Sequence, residues 1–291
     1  MLVQSSSGNL GICVSYQAMR DLLGLGEALV PVALRAAAAI MTIYKGAFTV
    51  ERKLDDSPLT QADLESQRII LDELATLTPG IPVLSEESAQ APWSDRRSWR
   101  ELWVVDPLDG TREFVKRNDE FAINVALVVE HEPVLGLVAV PARAVVYVGA
   151  AGCGAYRRLA DGTRSAIRVA PPGAPLRVVG SRSHTSAQLT AYLAHVAPHE
   201  FLGVGSALKV CLLAEGTADL YPRFGPTSEW DTAAGQAVLE AAGGHVTRMD
   251  GHRLRYNCRE SLINGDFVAY ADPRVLPGPR RQPGQASPRS S

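Results

Sequence analysis

Cysteine is scarce and scattered. The 291 residues carry four, Cys13, Cys153, Cys211 and Cys258, and none belongs to a C-x-x-C pair. That excludes a spacing-defined zinc site or redox dithiol and fits buried thiols in a reducing compartment. Net charge is nearly absent: 29 Lys and Arg against 31 Asp and Glu leave a formal −2. Without a general positive field the chain has no means of holding a nucleic acid backbone, so any polyanion must be held locally. No apolar run reaches the roughly 18 residues that a bilayer span needs, and no transmembrane helix is expected. The start, MLVQSSSGNLGICVSYQAM, has neither a basic n-region nor a solid apolar block, which argues against a signal peptide. A P-loop G-x-x-x-x-G-K-[ST] and a serine-hydrolase G-x-S-x-G are also missing.

What remains is globular. Hydrophobic residues make up 46% of a chain that could form two domains or one large α/β unit. Residues 1–20 are Ser/Gly-bearing and aperiodic. The last nineteen, 273–291, hold five prolines and four arginines with little to bury, and both ends are expected to be disordered. From Leu22 apolar residues recur every three or four positions to Ile43, the period of a helix with one buried face, with Pro31 kinking or starting it. Thr60 with Asp63 three residues later opens a second helix that stops at Pro79-Gly80. The runs WVVD, FAINVALVV, VLGLVAV and VVYVGA read as strands. The second half alternates strand and helix: LRVVGS, a helix from Ser186, FLGVG, a helix over SALKVCLLAEG, DLYPRF, and a helix from Glu229. The expectation is sheets covered by helices, with lobes at 21–160 and 161–272.

The chemistry concentrates in DPLDGT, Asp106 to Thr111, which follows a strand. Pro107 and Gly110 shape a turn in which Asp106, Asp109 and the Leu108 carbonyl converge as hard oxygen donors suited to Mg²⁺. Taken alone, such a turn is also an ordinary acidic loop. Glu86 closes the apolar run IPVL, and Asp231 lies in the first turn of a helix, where an acid is favoured by the helix dipole in any case. The combination decides: three acidic sites at element ends beside a Gly-Thr pair whose backbone N–H groups can receive a phosphate oxygen. Two ions roughly 4 Å apart would serve metal-assisted hydrolysis of a phosphate ester. A phosphoaspartyl enzyme needs acids two apart, whereas Asp106 and Asp109 are three apart, so water outranks a covalent nucleophile.

VLSEES, WVVDPLDGTREF and EWDTAAG resemble, in order and spacing, the three motifs of the lithium-sensitive, magnesium-dependent phosphatases that include inositol monophosphatases and fructose-1,6-bisphosphatases. The resemblance runs from about Leu29 to Tyr270. Within that superfamily, the motif loop, SRSH (Ser181 to His184), GSALKVCLLAEG and LYPRFGPTSEWDTAAG look most like bacterial CysQ-type 3'(2'),5'-bisphosphate nucleotidases. The resemblance implies a layered α-β-α-β-α fold and hydrolysis of the 3'-phosphate of adenosine 3',5'-bisphosphate to AMP. It further implies two or three Mg²⁺ per site, inhibition by Li⁺ and a cytoplasmic role in sulfur metabolism, with peripheral attachment at the inner membrane left open.

Glu86, Asp106, Asp109, Asp231 and the Leu108 carbonyl match the metal ligands, Glu86 and Asp231 also facing substrate. Asp63 matches the acid that, with Thr111, orients and deprotonates the attacking water; its residues alone favour helix capping. Gly110 and Thr111 would meet the scissile phosphate. Ser181, His184, Gly205 and Lys209 match nucleotide contacts, although His184 and Lys209 alone read as surface side chains. Arg223 is a further candidate for an anion contact. Arg112 stands where many relatives carry Lys, and the two tails have no counterpart. The expected partner is a small nucleotide bisphosphate, with monomer and homodimer both open. An inositol monophosphatase-like or sugar phosphatase is the alternative enzyme; a silent nucleotide sensor is the alternative of another class, disfavoured by the intact acidic set.

Overall fold

A computed structural model describes residues 16–53, 58–182 and 186–277. Helix α1 (Tyr16–Lys45) starts six residues before the apolar period does and carries Pro31 in its interior. It is followed by the strand pair β1 (Val50–Arg52) and β2 (Pro58–Thr60), then α2 (Gln61–Leu77), β3 (Val83–Ser85), α3 (Trp93–Arg96), β4 (Glu101–Asp109) and α4 (Thr111–Val115). The antiparallel run β5 (Ala122–Val129), β6 (Glu132–Val140), β7 (Val145–Ala150), β8 (Gly154–Leu159) and β9 (Arg164–Ile167) completes a seven-stranded sheet ordered β3 to β9. Because β9 belongs to it, the first sheet extends past the lobe boundary expected at 160.

The second half adds β10 (Leu176–Gly180), α5 (Ala187–Leu193), β11 (His199–Gly203), α6 (Leu208–Ala214), β12 (Leu220–Arg223), β13 (Thr227–Ser228) and α7 (Glu229–Ala241). Strands β14 (His245–Arg248), β15 (Ile263–Asn264) and β16 (Phe267–Tyr270) follow. The second sheet is ordered β11-β10-β12-β16-β14, while β13 and β15 pair separately. A 3₁₀ turn, Pro273–Val275, buries Val275, so the tail expected to be disordered from 273 is ordered to 277. The rest of that tail and residues 1–15 lie outside the described residues.

These elements form five layers, α-β-α-β-α. Helices α1 and α2 cover one face of the large sheet, burying Leu29, Val30, Ala33, Ile40, Ile70 and Leu74 against Val125, Leu135, Leu137 and Val148. Residues 21–45 of α1 are long and apolar enough to cross a membrane by length and composition alone. In this fold the stripe is a core face, and Arg35 on the same helix pairs with Glu73 of α2 at 2.5 Å. Helices α6 and α7 fill the middle layer, joining residues of both sheets into one core that runs from Leu102 and Val104 to Val246 and Phe267. Side chains of α5 and the residues after it, Tyr192, Leu193 and Val196, pack on the outer face of the second sheet.

Helix α7 lies unusually close to the large sheet. Gly136 on β6 and Gly149 on β7 are paired, and a Cβ added to them would stand 2.3 Å from the Ala234 carbonyl oxygen and 2.5 Å from the Val238 Cα. Only glycine allows that approach. It fixes the height at which the first turn of α7, with Asp231, meets the end of β4.

Candidate active site

Residues three apart on a regular strand point to opposite faces, so Asp106 and Asp109 could not share a site on an unbroken β4. The strand nevertheless continues through DPLD instead of turning after WVVD. Its register against β5 breaks there, Asp106 lying opposite Asn124 and Asp109 opposite Ala122. Three steps on one strand match two on the other, and this extra residue brings both carboxylates to one side. Asp106 Oδ1 accepts the Leu108 N–H at 3.0 Å, and the Pro107 carbonyl accepts the Ser66 hydroxyl of α2 at 2.7 Å. Gly110 follows at φ 88°, where a Cβ would stand 2.9 Å from the Glu120 carbonyl oxygen, and α4 begins at Thr111.

Asp231 arrives on α7 as the third member of a capping box, its Oδ2 accepting the Ser228 N–H at 2.8 Å. Carboxylate oxygens of Asp106, Asp109 and Asp231 all lie within 4.8 Å of one another. Burial, then the charges of Glu86, Asp109 and Asp231, pushes Asp106 well above the ordinary carboxylate range. Burial, then Asp109, raises Asp231 to about 8. Three hard oxygen donors crowded this way repel one another, and a divalent cation relieves that repulsion. Glu86 stands beside the cluster; its N–H donates to the Val105 carbonyl at 3.1 Å. Its Oε1 pairs with Lys53 Nζ at 2.7 Å, and Lys53 also binds Glu87 at 2.5 Å. Burial raises Glu87 to about 7. The Leu108 carbonyl faces the Thr111 hydroxyl at 3.2 Å.

Asp63 divides its two oxygens. Oδ2 caps α2, accepting the Thr60 N–H at 2.8 Å and the Thr60 hydroxyl at 2.7 Å. Oδ1 accepts the Thr111 hydroxyl at 3.1 Å. Burial is the largest influence on this carboxyl and raises it, opposed by its Thr60 and Thr111 hydrogen bonds. The capping role and the approach to Thr111 therefore coexist in one side chain.

The family model for the inositol monophosphatase family matches residues 24–276. The chain belongs to that family. It is 50% identical over 243 residues to the 3'(2'),5'-bisphosphate nucleotidase CysQ of Salmonella typhimurium, covering 83% of this chain and 97% of the relative. It is 48% identical over 237 residues to the protein of that name from Escherichia coli K12, covering 81% and 95%. Among solved structures, CysQ of Bacteroides thetaiotaomicron superposes with a TM-score of 0.75 at 37% identity, covering 85% of this chain and 97% of that one. The inositol monophosphatase of Anabaena superposes at 0.68 with 26% identity, covering 86% and 92%.

In this member of the family the second half closes the site around a cavity of about 160 Å³. Ser181, Gly205 and Lys209 line it together with Asp109, Gly110, Ser206 and Asp231. His184 lies outside the described residues. Lys209 is not the solvated helix side chain that its sequence context describes: it is buried, and Nζ donates to the Val204 and Ser206 carbonyls at 3.2 and 2.7 Å. Burial lowers it to about 8. The Gly205 N–H is already engaged, donating to Glu120 Oε2 at 2.9 Å. A larger cleft of about 540 Å³ lies beyond the far end of α7, lined by Glu240, Arg253 and His245, away from the acidic cluster.

Several participants escape sequence reasoning. Glu120 holds both Gly205 and Arg182, the latter at 2.7 Å. The Ala207 N–H donates to Asp109 Oδ2 at 2.5 Å across 98 residues of chain. Ala207 lies within GSALKVCLLAEG, but no spacing announces its contact with Asp109 or those of Glu120. Lys53 had a faint signal, the second of two adjacent basic residues, after Arg52, shortly before the Thr60 cap.

Proposed function

We propose that this chain removes the 3'-phosphate of adenosine 3',5'-bisphosphate, releasing AMP and inorganic phosphate, with 3'-phosphoadenylyl sulfate as a second candidate substrate. The observation that carries this reading is the gathering of Asp106, Asp109 and Asp231 beside the Asp63–Thr111 pair, in a chain half identical to a protein named for that activity.

In this reading Glu86, Asp106, Asp109, Asp231 and the Leu108 carbonyl hold two or three magnesium ions. When bound, magnesium neutralises phosphate charge and acidifies water. The chain's own residues supply the rest. Thr111, anchored by Asp63 Oδ1 at 3.1 Å, orients the attacking water, and Asp63 receives its proton. The backbone at Gly110 and Thr111 meets the scissile phosphate, the left-handed Gly110 allowing its oxygens to come close. Ser181, His184, Gly205 and Lys209 belong to the nucleotide side, Gly205 and Lys209 by shaping the loop between β11 and α6. Inhibition by Li⁺ follows from the same reading. Among the described residues Cys211 and Cys258 form no disulfide, which supports action in the cytoplasm.

Steady-state assays on adenosine 3',5'-bisphosphate and inositol 1-phosphate side by side test the proposal. A higher kcat/KM for the bisphosphate is expected; preference for the inositol ester would replace the nucleotidase reading with the inositol phosphatase one.

A further inference from the structure

Asn124 lies inside β5 with none of its surface exposed, and neither its Oδ1 nor its Nδ2 has a hydrogen-bond partner among the described residues. An amide buried in that condition is costly, because each unmet donor or acceptor has given up its water and received nothing in exchange. For packing alone, a branched apolar side chain would serve better here. The presence of the amide therefore needs a reason outside packing.

Strand register supplies one. Asn124 stands directly opposite Asp106 of β4, and residues opposed in this way point to the same face of an antiparallel pair, with Cβ atoms about 4.5–5.5 Å apart. That face is the one covered by α7: Val104, Ala122 and Ala126, each two residues away along its strand, belong to the core shared with that helix, while Val105, Ile123 and Val125 belong to the core under α1. Of the side chains that flank Asn124 on this face, Val104 and Asp106 on β4, Ala122 and Ala126 along β5, and Val138 on β6, only Asp106 carries polar atoms.

Asp106 has capacity for the contact. Its Oδ1 accepts the Leu108 N–H at 3.0 Å from its own loop, and a carboxylate offers about four acceptor sites. It can take an amide proton and still serve as a metal ligand. Asp109 already has support of this kind from a distant segment, through the Ala207 N–H.

Resting on the metal-dependent phosphatase reading, we propose that Asn124 is the positioning residue of Asp106, its Nδ2 kept beside the carboxylate to donate to it when Asp106 turns to a divalent cation. Ligating carboxylates are commonly held by such a bond, which fixes their orientation. The unmet amide is thus a cost to the fold that is recovered in metal affinity.

That trade makes the proposal testable, because it moves metal-free stability and magnesium affinity independently. Asn124→Leu removes both unmet groups and keeps the branching; Asn124→Ala removes them without adding bulk. Calorimetric titration of the variants with Mg²⁺ should give a Kd about 10-fold weaker than wild type. The urea midpoint of the metal-free chain should stay at or above the wild-type value in at least one of them. A Kd within about twofold of wild type in the folded variants, well short of the usual loss for such a support, would overturn the assignment. So would a metal-free midpoint that falls in both variants, or the failure of both to fold, since Asn124 would then be a core residue. Wild-type protein that takes up no Mg²⁺ in the same titration defeats the underlying metal reading instead, so the two failures are distinguishable.

Discussion

Replacing Asp63 by Asn separates the two duties of its carboxylate. The carboxamide oxygen can still accept the Thr60 N–H now held at 2.8 Å, and the amide nitrogen can donate to the Thr111 hydroxyl, 3.1 Å from Oδ1. Thr111 in turn keeps the Leu108 carbonyl as its acceptor at 3.2 Å. Charge-assisted bonds become neutral ones, a loss of about 1 kcal/mol that is partly offset by no longer burying a charge. In thermal unfolding that corresponds to a fall of roughly 2–4 °C. Asp63→Ala leaves the buried Thr60 N–H and hydroxyl without an acceptor and removes the cap, for about 2–4 kcal/mol. Turnover behaves differently, because neither variant offers a base. Both should lose about 10²- to 10⁴-fold in kcat, measured by phosphate release. Burial holds the Asp63 carboxyl above its usual value. As pH falls through that raised pKa the base is protonated and the rate is lost, so the acid limb of kcat/KM should lie above the roughly 4 of a free aspartate. If Asp63→Asn retained more than about a tenth of wild-type kcat, Asp63 would be a helix cap and nothing more.

Magnesium should raise the melting temperature by relieving the repulsion among Asp106, Asp109 and Asp231; saturation a hundredfold above Kd gives about 2.7 kcal/mol, and Asp109→Asn should abolish most of the shift along with most of the turnover. Lys209 has a folded pKa of about 8, below its value in the unfolded chain. Between pH 8 and about 10 the unfolded state therefore binds more protons and stability rises with pH. The neutral amine still carries two hydrogens for its two carbonyls. Chemical denaturation across this window should show the rise in wild type and a flatter profile in Lys209→Met; parallel profiles would refute the assignment. Gly136→Ala places a methyl 2.3 Å from the Ala234 carbonyl oxygen, and about 1–3 kcal/mol of overpacking cost is expected from urea midpoints. Because α7 must move, magnesium affinity should fall as well; an unchanged midpoint would mean the sheet yields in place of the helix.

Much of this was legible because it is local. Thr60 and Asp63 announce a capping box by spacing alone, and the structure forms it. The apolar periods of α1, β5 and β6 likewise mark their elements. The α1 boundary shifted because Tyr16 to Asp21 lack the apolar stripe that continues after Leu22. Strands β8 and β9 escaped for a different reason: YRRLADGTRSAIR is too polar for strand alternation to stand out. Asp161-Gly162 between them was a readable hairpin turn, with Gly162 at φ 87°. The site was half legible. Its acids are identifiable, but the register break between Asp106 and Asp109 that makes them neighbours depends on pairing with β5. The burial of Lys209, the Lys53 bridge to Glu86 and Glu87, and the grip of Ala207 on Asp109 are contacts between distant segments that carry no periodic trace.

The middle helical layer has a consequence for how ligands come and go. Helices α6 and α7 are packed into a hydrophobic interior continuous with both sheets, so that among the described residues no seam separates two halves that could hinge apart. On the proposed function, substrate should therefore enter and product leave over the rim, at the segments carrying Lys53, Ser181 and Gly205, rather than through an opening between the two sheets.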